Sequence, residues 1–537
     1  MKKRKLTSLF AGILLPAMVL TAQVPVNVVG DMKVATGGNV KSQGQVTVNA
    51  NAATNGVIIN NGTLSVPEGI TFVSNQDRDG MLLNNGTVNL PTDASKVKLK
   101  VTGLSLYDPQ NENASWHFIS FPFEIDEAAV LAANPNTDGV YFDKYDGQKR
   151  ANTNLASGNW TPAEGILAPH IGYSFAMGME STVSEVVFPA SNITNMYSDT
   201  KSTTITLFTS PKKEEGWGWN CVGSPYTANY LVTPSNLGIS SGFIYYYDTA
   251  NDMYQSAIVN TFFPDAMYKN IPPFKFFFVK MDQDTETSLV YKKTGANLLT
   301  DNNYLRSAPV TSSFGLFSIK VSGEDSTIPA DNVQVFVSDA EQCRETYYGK
   351  TDAPKLFSKN PVVTEIWMPV KGSDLSIAGY PHTENREILL NLKTGVTGSV
   401  YTIEIDEAFS LNTAQFYQSV SIVDKELNIE HDLSQAGAYS FLSDQLSYED
   451  RFVLRLGNES TTNSSTTVDG VVIYASNNTL YIQNIAENDV VNVYDLSGRL
   501  VKKEISNANN IEFSIEKGTY IVKVSGEKNA TKKVTVL

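Results

Sequence analysis

Along most of this chain apolar and polar residues alternate in short runs broken by Gly, Asn, Pro and Ser, the pattern of half-buried β-strands. Early in the sequence the pattern repeats itself. Gly56-Val-Ile-Ile-Asn60-Asn61-Gly62-Thr63-Leu64 recurs 24 residues later as Gly80-Met-Leu-Leu-Asn84-Asn85-Gly86-Thr87-Val88, and Pro67 falls on Pro91. Each copy predicts an apolar strand, an Asn-Asn-Gly turn in which glycine supplies a positive φ, and a second short strand. A period near 24 fits one rung of a parallel β-solenoid, whose stacked rungs share a core and can stack their asparagines. Two ordinary hairpins give the same local pattern, so residues 24–103 read as a β-solenoid-like or hairpin region.

A longer repeat follows. Trp116-His-Phe118-Ile119-Ser120-Phe-Pro122-Phe123 matches Trp219-Asn-Cys221-Val222-Gly223-Ser-Pro225-Tyr226 at a constant shift of 103, and Pro169, Tyr173 and Phe175 match Pro272, Phe276 and Phe278 at the same shift. Tyr141–Asp146 corresponds to Ile244–Asp248 with a one-residue slip. Each unit predicts a Trp-led strand, a proline stop, an aromatic strand ending in Tyr-Asp and a closing strand after a Pro turn. Two tandem β-domains are expected, 104–200 and 201–300, with Trp116 and Trp219 as matched core anchors. Strand-like runs at Phe314–Val321, Asn332–Val337 and Arg451–Leu456 predict a β-sandwich over 301–456. The polar stretch 457–467 reads as a linker. A compact unit over 468–537 has six strand-like runs, at 471–474, 479–482, 490–494, 511–514, 520–524 and 532–537.

Composition supports an all-β, multi-domain reading. The 537 residues exceed one ordinary core. Charged residues are 18%, below the usual ~25%. The N-terminus places Lys2-Lys3-Arg4-Lys5 before an apolar stretch from Leu6 to Ala22, with small residues near Thr21-Ala22, the layout of a signal peptide over 1–23. Its removal would take the formal net charge of −15 to about −19. So acidic a chain, without a basic cluster, is not a nucleic-acid binder.

Residues 468–537 carry a more specific signal. Val491-Asn-Val493-Tyr494-Asp495-Leu496-Ser-Gly498-Arg499-Leu500-Val501 is followed by Lys517-Gly518-Thr519-Tyr520-Ile-Val522, then by Lys532-Lys533-Val534 near the end. In residue type, order and spacing this unit resembles the type A sorting domain of type IX secretion cargo in Bacteroidota. The resemblance implies an Ig-like fold and passage from periplasm through the outer membrane. It also implies contact with the outer-membrane secretion machinery and its sorting peptidase, then attachment to surface lipopolysaccharide or release. The preceding stretch, with Val423-Asp424-Lys425, His431-Asp432-Leu433, Tyr439-Ser-Phe441 and Asp450-Arg451-Phe452, is similar to the β-sandwich that commonly precedes such domains.

Catalytic chemistry is sparse. His117, His170, His382 and His431 form no zinc spacing, and no nucleophile elbow, phosphate loop or dinucleotide fingerprint occurs. No catalytic residue, metal ligand or cofactor is therefore assigned. Cys221 and Cys343 read as buried thiols rather than a bridge. Aromatic residues are the best binding signal: Tyr245, Tyr247, Trp160 and Trp217 could stack sugar rings, although alternation sends half of any such run into the core. The expected function is a non-enzymatic adhesin-like, structural or ligand-binding surface protein for a glycan or host protein. The alternative is a secreted carbohydrate-active enzyme, a polysaccharide hydrolase or lyase needing two facing carboxylates.

Overall fold

The computed structural model describes residues 25–536 except 51–54, 76–77, 110–114, 154–157, 210–215, 239–240, 249–252, 261–268, 282–287, 299–313, 359, 408–409, 428, 458–470, 477–478, 484, 496–498, 509 and 529. The signal-peptide and linker segments therefore lie outside or almost outside the described residues. Strands dominate. They fall into two compact units: residues up to 313 with 339–363 and 371–380, and residues 314–338 with 364–370 and 381–537. The stretch 301–456, expected as one sandwich, is thus shared between the two units.

The first unit opens with three sheets of parallel strands. Val26–Val28, Val46–Asn49, Ile70–Ser74 and Val97–Thr102 form one. Asp31–Val34, Val57–Asn60 and Met81–Asn84 form the second, and Asn39–Lys41, Thr63–Ser65 and Thr87–Asn89 the third. Val57 lies opposite Met81 and Thr63 opposite Thr87, so each rung stacks on the one before it as in a β-solenoid. Val48, Ile58, Leu64, Ile70, Phe72, Leu82 and Leu99 fill the interior. The Asn-Asn-Gly corners stack too: Asn60 Nδ2 donates to Asn84 Oδ1 at 2.7 Å, and Asn85 Nδ2 to Asn61 Oδ1 at 3.0 Å. The expected reason for their glycines is wrong, because neither Gly62 nor Gly86 has a positive φ. A Cβ on Gly86 would strike the carbonyl of Gly62, and one on Gly62 the carbonyl of Gly38. Glycine is needed there for close stacking of corners.

No break separates this region from the next. Val97–Thr102 pairs on its other edge, antiparallel, with Glu185–Asn192, and one hydrophobic core runs from Val28 through Phe188. The boundary expected at 103 therefore cuts a continuous sheet; Val97–Thr102 is both a solenoid strand and a strand of the first β-domain. In the second β-domain, Thr200–Thr204 pairs in the same way with Ser288–Lys292.

Each β-domain also carries a four-stranded antiparallel sheet with the same strand order. The first contains His117–Ser120, Gly172–Met177, Val140–Tyr145 and Trp160–Pro162; the second contains Trp219–Gly223, Phe276–Lys280, Ser241–Asp248 and Met253–Asn260. Ile119 pairs with Tyr173 and Val222 with Phe277, and Phe142 and Ile244 both lie in their domain's core, so the aromatic strand keeps the expected one-residue slip against the shift of 103. The domains interlock through their backbones. Ser120 N–H donates to Phe274 O at 2.8 Å, and Gly223 N–H, its counterpart, donates to His170 O at 2.8 Å. Both accepting residues stand at φ +63°. At the crossing, a Cβ on Gly172 would lie inside contact distance of Cys221 Sγ and 2.7 Å from Phe276 Cγ.

Segments 339–363 and 371–380 of this unit are held by a buried ion pair, Lys371 Nζ to Asp352 Oδ1 at 2.8 Å. Asp352 also accepts from the Tyr348 and Gly379 N–H groups, so the carboxylate buried away from water is satisfied on both oxygens.

In the second unit, Phe314–Gly323 pairs with Asp331–Ser338 and Val400–Ile405, and the latter with Tyr439–Leu442. A second ladder runs through Glu365–Val370, Asn385–Lys393, Ser447–Gly457, Ser419–Asp424 and Ile429–Asp432. A buried polar hub joins the ladders. Arg451 Nη2 lies 2.7 Å from Asp424 Oδ2, Tyr439 Oη donates to the same oxygen at 2.8 Å, and the guanidinium lies over Phe441, Tyr448 and Phe452. Asp424, Tyr439, Phe441, Arg451 and Phe452 are among the residues by which this stretch resembles a sandwich preceding sorting domains.

Two predictions follow from the first unit. Gly172→Ala should destabilise it by about 1–3 kcal/mol in chemical denaturation, the cost of overpacking a tight crossing. Lys201 is buried, donating to Pro225 O at 2.5 Å over the Tyr226 ring, and burial depresses its ammonium from 10.5 to about 7. Between those values the unfolded chain binds the extra proton, so stability rises with pH across the window. Lys201→Met should therefore stabilise the protein at pH 7 by a few kcal/mol, at about 1.4 kcal/mol per pKa unit, with the gain vanishing as pH approaches 10.5.

Candidate functional site

Strand alternation explains where the aromatic candidates go. Ile119, Phe142, Tyr173 and Phe175 point into the first core, and Val222, Ile244, Phe277 and Val279 into that of the second domain. The intervening residues form a layer between the two four-stranded sheets. Trp160, opposite Tyr145 in register, stacks on Phe118 at 5.8 Å between centroids and 19° between planes. Phe118 in turn meets Tyr247 at 5.5 Å and Phe276 at 5.1 Å, and Tyr145 meets Phe278 at 4.8 Å. Trp160 and Tyr247, from different domains, are thus brought together through Phe118, and all three are half-buried.

Tyr245 is elsewhere in the layer. It is 1% exposed, 4.7 Å from Trp219, and Arg150 lies 3.9 Å above the Trp219 ring. Burial drives its phenol well above the usual range. A ligand cannot reach it, so Tyr245 is a core residue and not part of a platform. Trp217 is half-buried. Nearby, Tyr145 Oη accepts from Arg150 Nη1 at 3.3 Å, and burial raises its phenol to about 12. The matched tryptophans diverge: Trp219 is fully buried, whereas Trp116 is 38% exposed and is not a core anchor.

Histidine chemistry is damped by burial. His170, fixed at positive φ between the domains, has its imidazolium disfavoured down to about 3 by burial, and His117 is shifted in the same direction for the same reason. Among the described residues no group of His, Cys, Asp and Glu could hold a metal ion. Cys221 and Cys343 are both buried and are not joined in a disulfide, and burial pushes the Cys221 thiol up.

The C-terminal region is a two-layer sandwich. One sheet orders Leu500–Ile505, Val490–Asp495, Gly518–Ser525 and Ala530–Val536; the other orders Val472–Ser476, Thr479–Gln483 and Asn510–Ser514. Ile473, Leu480, Ile482, Val491, Val493, Val522 and Val524 fill the space between them. Residues 475–537 match the family described as the secretion system C-terminal sorting domain. The chain ends in a type IX secretion sorting domain. It is accordingly a cargo of that system, exported to the cell surface or secreted, and its sorting domain is read by the secretion machinery.

Other comparisons are remote. A structure of PorZ, described as a bacterial surface component of the type IX secretion system of Porphyromonas gingivalis, is similar at 15% identity over 28% of this chain, with a TM-score of 0.12. The match spans 21% of that chain. A structure described as the BSP domain of a biofilm-associated protein is 8% identical over 82% of this chain and 95% of its own, with a TM-score of 0.15. No curated protein matches.

Within the sorting domain most motif residues are structural. Val493 is buried, and Tyr494 is half-buried on the opposite face. Asp495 closes the following turn: its Oδ1 accepts from the Arg499 N–H at 3.0 Å and its Oδ2 from Arg499 Nε at 2.9 Å. Leu496 and Gly498 lie outside the described residues. Gly518 begins the strand that carries Tyr520, whose buried ring sends its hydroxyl to Glu516 O at 2.9 Å. Lys532 and Lys533 pair with Val522 and Ile521 on the terminal edge strand.

Sequence reasoning missed two features of the domain. Leu500–Ile505 was not expected as a strand, because Lys502, Lys503 and Glu504 hide the alternation of an edge strand exposed on both faces. Asp489 was also passed over, since a lone carboxylate carries no local signal. It is fully buried, accepting at Oδ2 from the Ala486 N–H at 2.9 Å and at Oδ1 from the Lys528 N–H at 3.2 Å, and so ties two loops together. Asp489→Ala should leave those N–H groups unpaired and lower sorting-domain stability by about 1–3 kcal/mol, measured by thermal unfolding.

Proposed function

We infer that this protein is a non-enzymatic surface protein, adhesin-like or structural, that meets its ligand on the aromatic rim between the tandem β-domains. The signal peptide at 1–23 delivers the chain to the periplasm. The sorting peptidase then removes the C-terminal domain as the body is released or joined to surface lipopolysaccharide. One observation carries the ligand assignment: Phe118, Trp160 and Tyr247 form a half-buried aromatic edge contributed by both domains. Sugar rings present apolar faces that stack on such edges, and exposed backbone and hydroxyl groups satisfy their rims. A glycan or glycosylated host protein is the ligand class that suits it.

The test is a screen of the full mature chain against a glycan array and extracellular-matrix proteins. Trp160→Ala and Tyr247→Ala should each weaken binding three- to ten-fold, the loss of about 0.5–1.5 kcal/mol of aromatic contact, in a chain that is less stable but still folded. Tyr245→Ala should instead destabilise the protein, as large-to-small changes in a core do. Ligand binding that survives both rim variants would place the site elsewhere. A chain that binds nothing would be a spacer or coat component.

A further inference from the structure

The outer face of the four-stranded sheet in the sorting domain is not covered by any described part of the chain. Cross-strand register places Leu500, Tyr494, Ile521 and Lys533 in one row, since Tyr494 pairs with Leu500 and Ile521, and Ile521 with Lys533. The next row is Lys503, Asn492, Lys523 and Thr531, and the third is Ile505, Val490 and Ser525. Leu500 is 48% exposed, Ile505 61% and Ile521 36%. Lys503 and Lys523 are exposed, and no carboxylate stands in these rows. The acidic residues of the neighbouring strands turn away: Glu504 pairs with the inward-facing Val491 and bonds Lys502 at 3.0 Å, and Asp495 bonds Arg499. The face therefore combines apolar rows with an uncompensated cationic row, in a chain whose net charge is −15.

We propose that this face is the surface by which the sorting domain docks on an acidic, partly apolar protein surface of the export machinery. The inference rests on the sorting assignment and adds the place and chemistry of the contact. Apolar rows flanking a charged strip suit the desolvated centre and polar rim of a protein interface. Charge complementarity selects the partner: lysines without acidic neighbours favour an acidic surface and repel a basic one. An anionic lipid surface fits less well, because two lysines contribute only about 1 kcal/mol each there, where clusters of four to eight are usual.

The test uses the full-length chain in a host competent for type IX secretion, with surface and periplasmic fractions quantified. Leu500→Ser with Ile521→Ser, and separately Lys503→Glu with Lys523→Glu, should each cut the surface fraction ten-fold or more. The retained protein should keep native protease resistance. Lys33→Glu with Lys425→Glu, the same charge change at exposed lysines outside the domain, should be exported normally. Native-level export of both face variants would overturn the proposal, as would equal loss in the control pair. Export lost only in the charge variant, together with its binding to phosphatidylglycerol vesicles, would assign the face to lipid and also overturn it. Deleting 468–537 separates the two levels of argument: a truncated chain that still reaches the surface refutes the sorting assignment itself. Trapping of that chain with normal export of the face variants refutes only the docking face.

Discussion

The first unit depends on one constraint: its central strands are buried on both faces. A strand with alternate residues in its own core normally offers the others to water. Here the other face of each four-stranded sheet packs on its counterpart, with Phe118, Tyr145 and Trp160 against Tyr247, Phe276 and Phe278. The close approach this requires is met by small residues at the crossing. Gly172 admits Cys221 and Phe276, and Gly223 leaves room for the side chain of Ser120. The exchanged backbone bonds at His170 and Phe274 then fix the two domains in one relation.

This arrangement changes the meaning of the aromatic residues. Their abundance in the repeat serves first to fill the layer between the domains, as Trp219 and Tyr245 show. Only where the layer reaches its edge do Phe118, Trp160 and Tyr247 remain partly open. A binding function, if built from this material, uses the margin of a structural interface. Rigidity of the surrounding layer would then hold the rings in place for a ligand, at little cost in ordering.

The sorting domain follows the opposite rule. Its inner faces form a core made mostly of valine and isoleucine, and its outer sheet face stays uncovered with apolar and cationic rows side by side. Two terminal edge strands and an uncovered face are a liability in a protein meant to remain alone. They are suited to a domain whose role is to be recognised.

Much was legible in the sequence because it depends on local spacing. The period of 24 reflects residues that occupy equivalent places, as the shift of 103 does for Ile119 and Val222, and alternation along Val490–Asp495 and Gly518–Ser525 reflects one buried face. The sorting motif was readable because its turn, glycine and tyrosine are tied by contacts within a few residues, as between Asp495 and Arg499 or Tyr520 and Glu516. What lay beyond the sequence were facts set by partners far along the chain. Whether Tyr245 or Trp160 is buried depends on which sheet faces it, and Trp116 and Trp219 share a motif but not an environment. Gly62 and Gly86 were identifiable as necessary, yet the reason, a carbonyl one rung away, exists only once the rungs are stacked. Period and composition determined that this chain is built of strands, and a local motif that it carries a sorting domain; tertiary packing decided which side of each strand meets a core, meets another domain or is left uncovered.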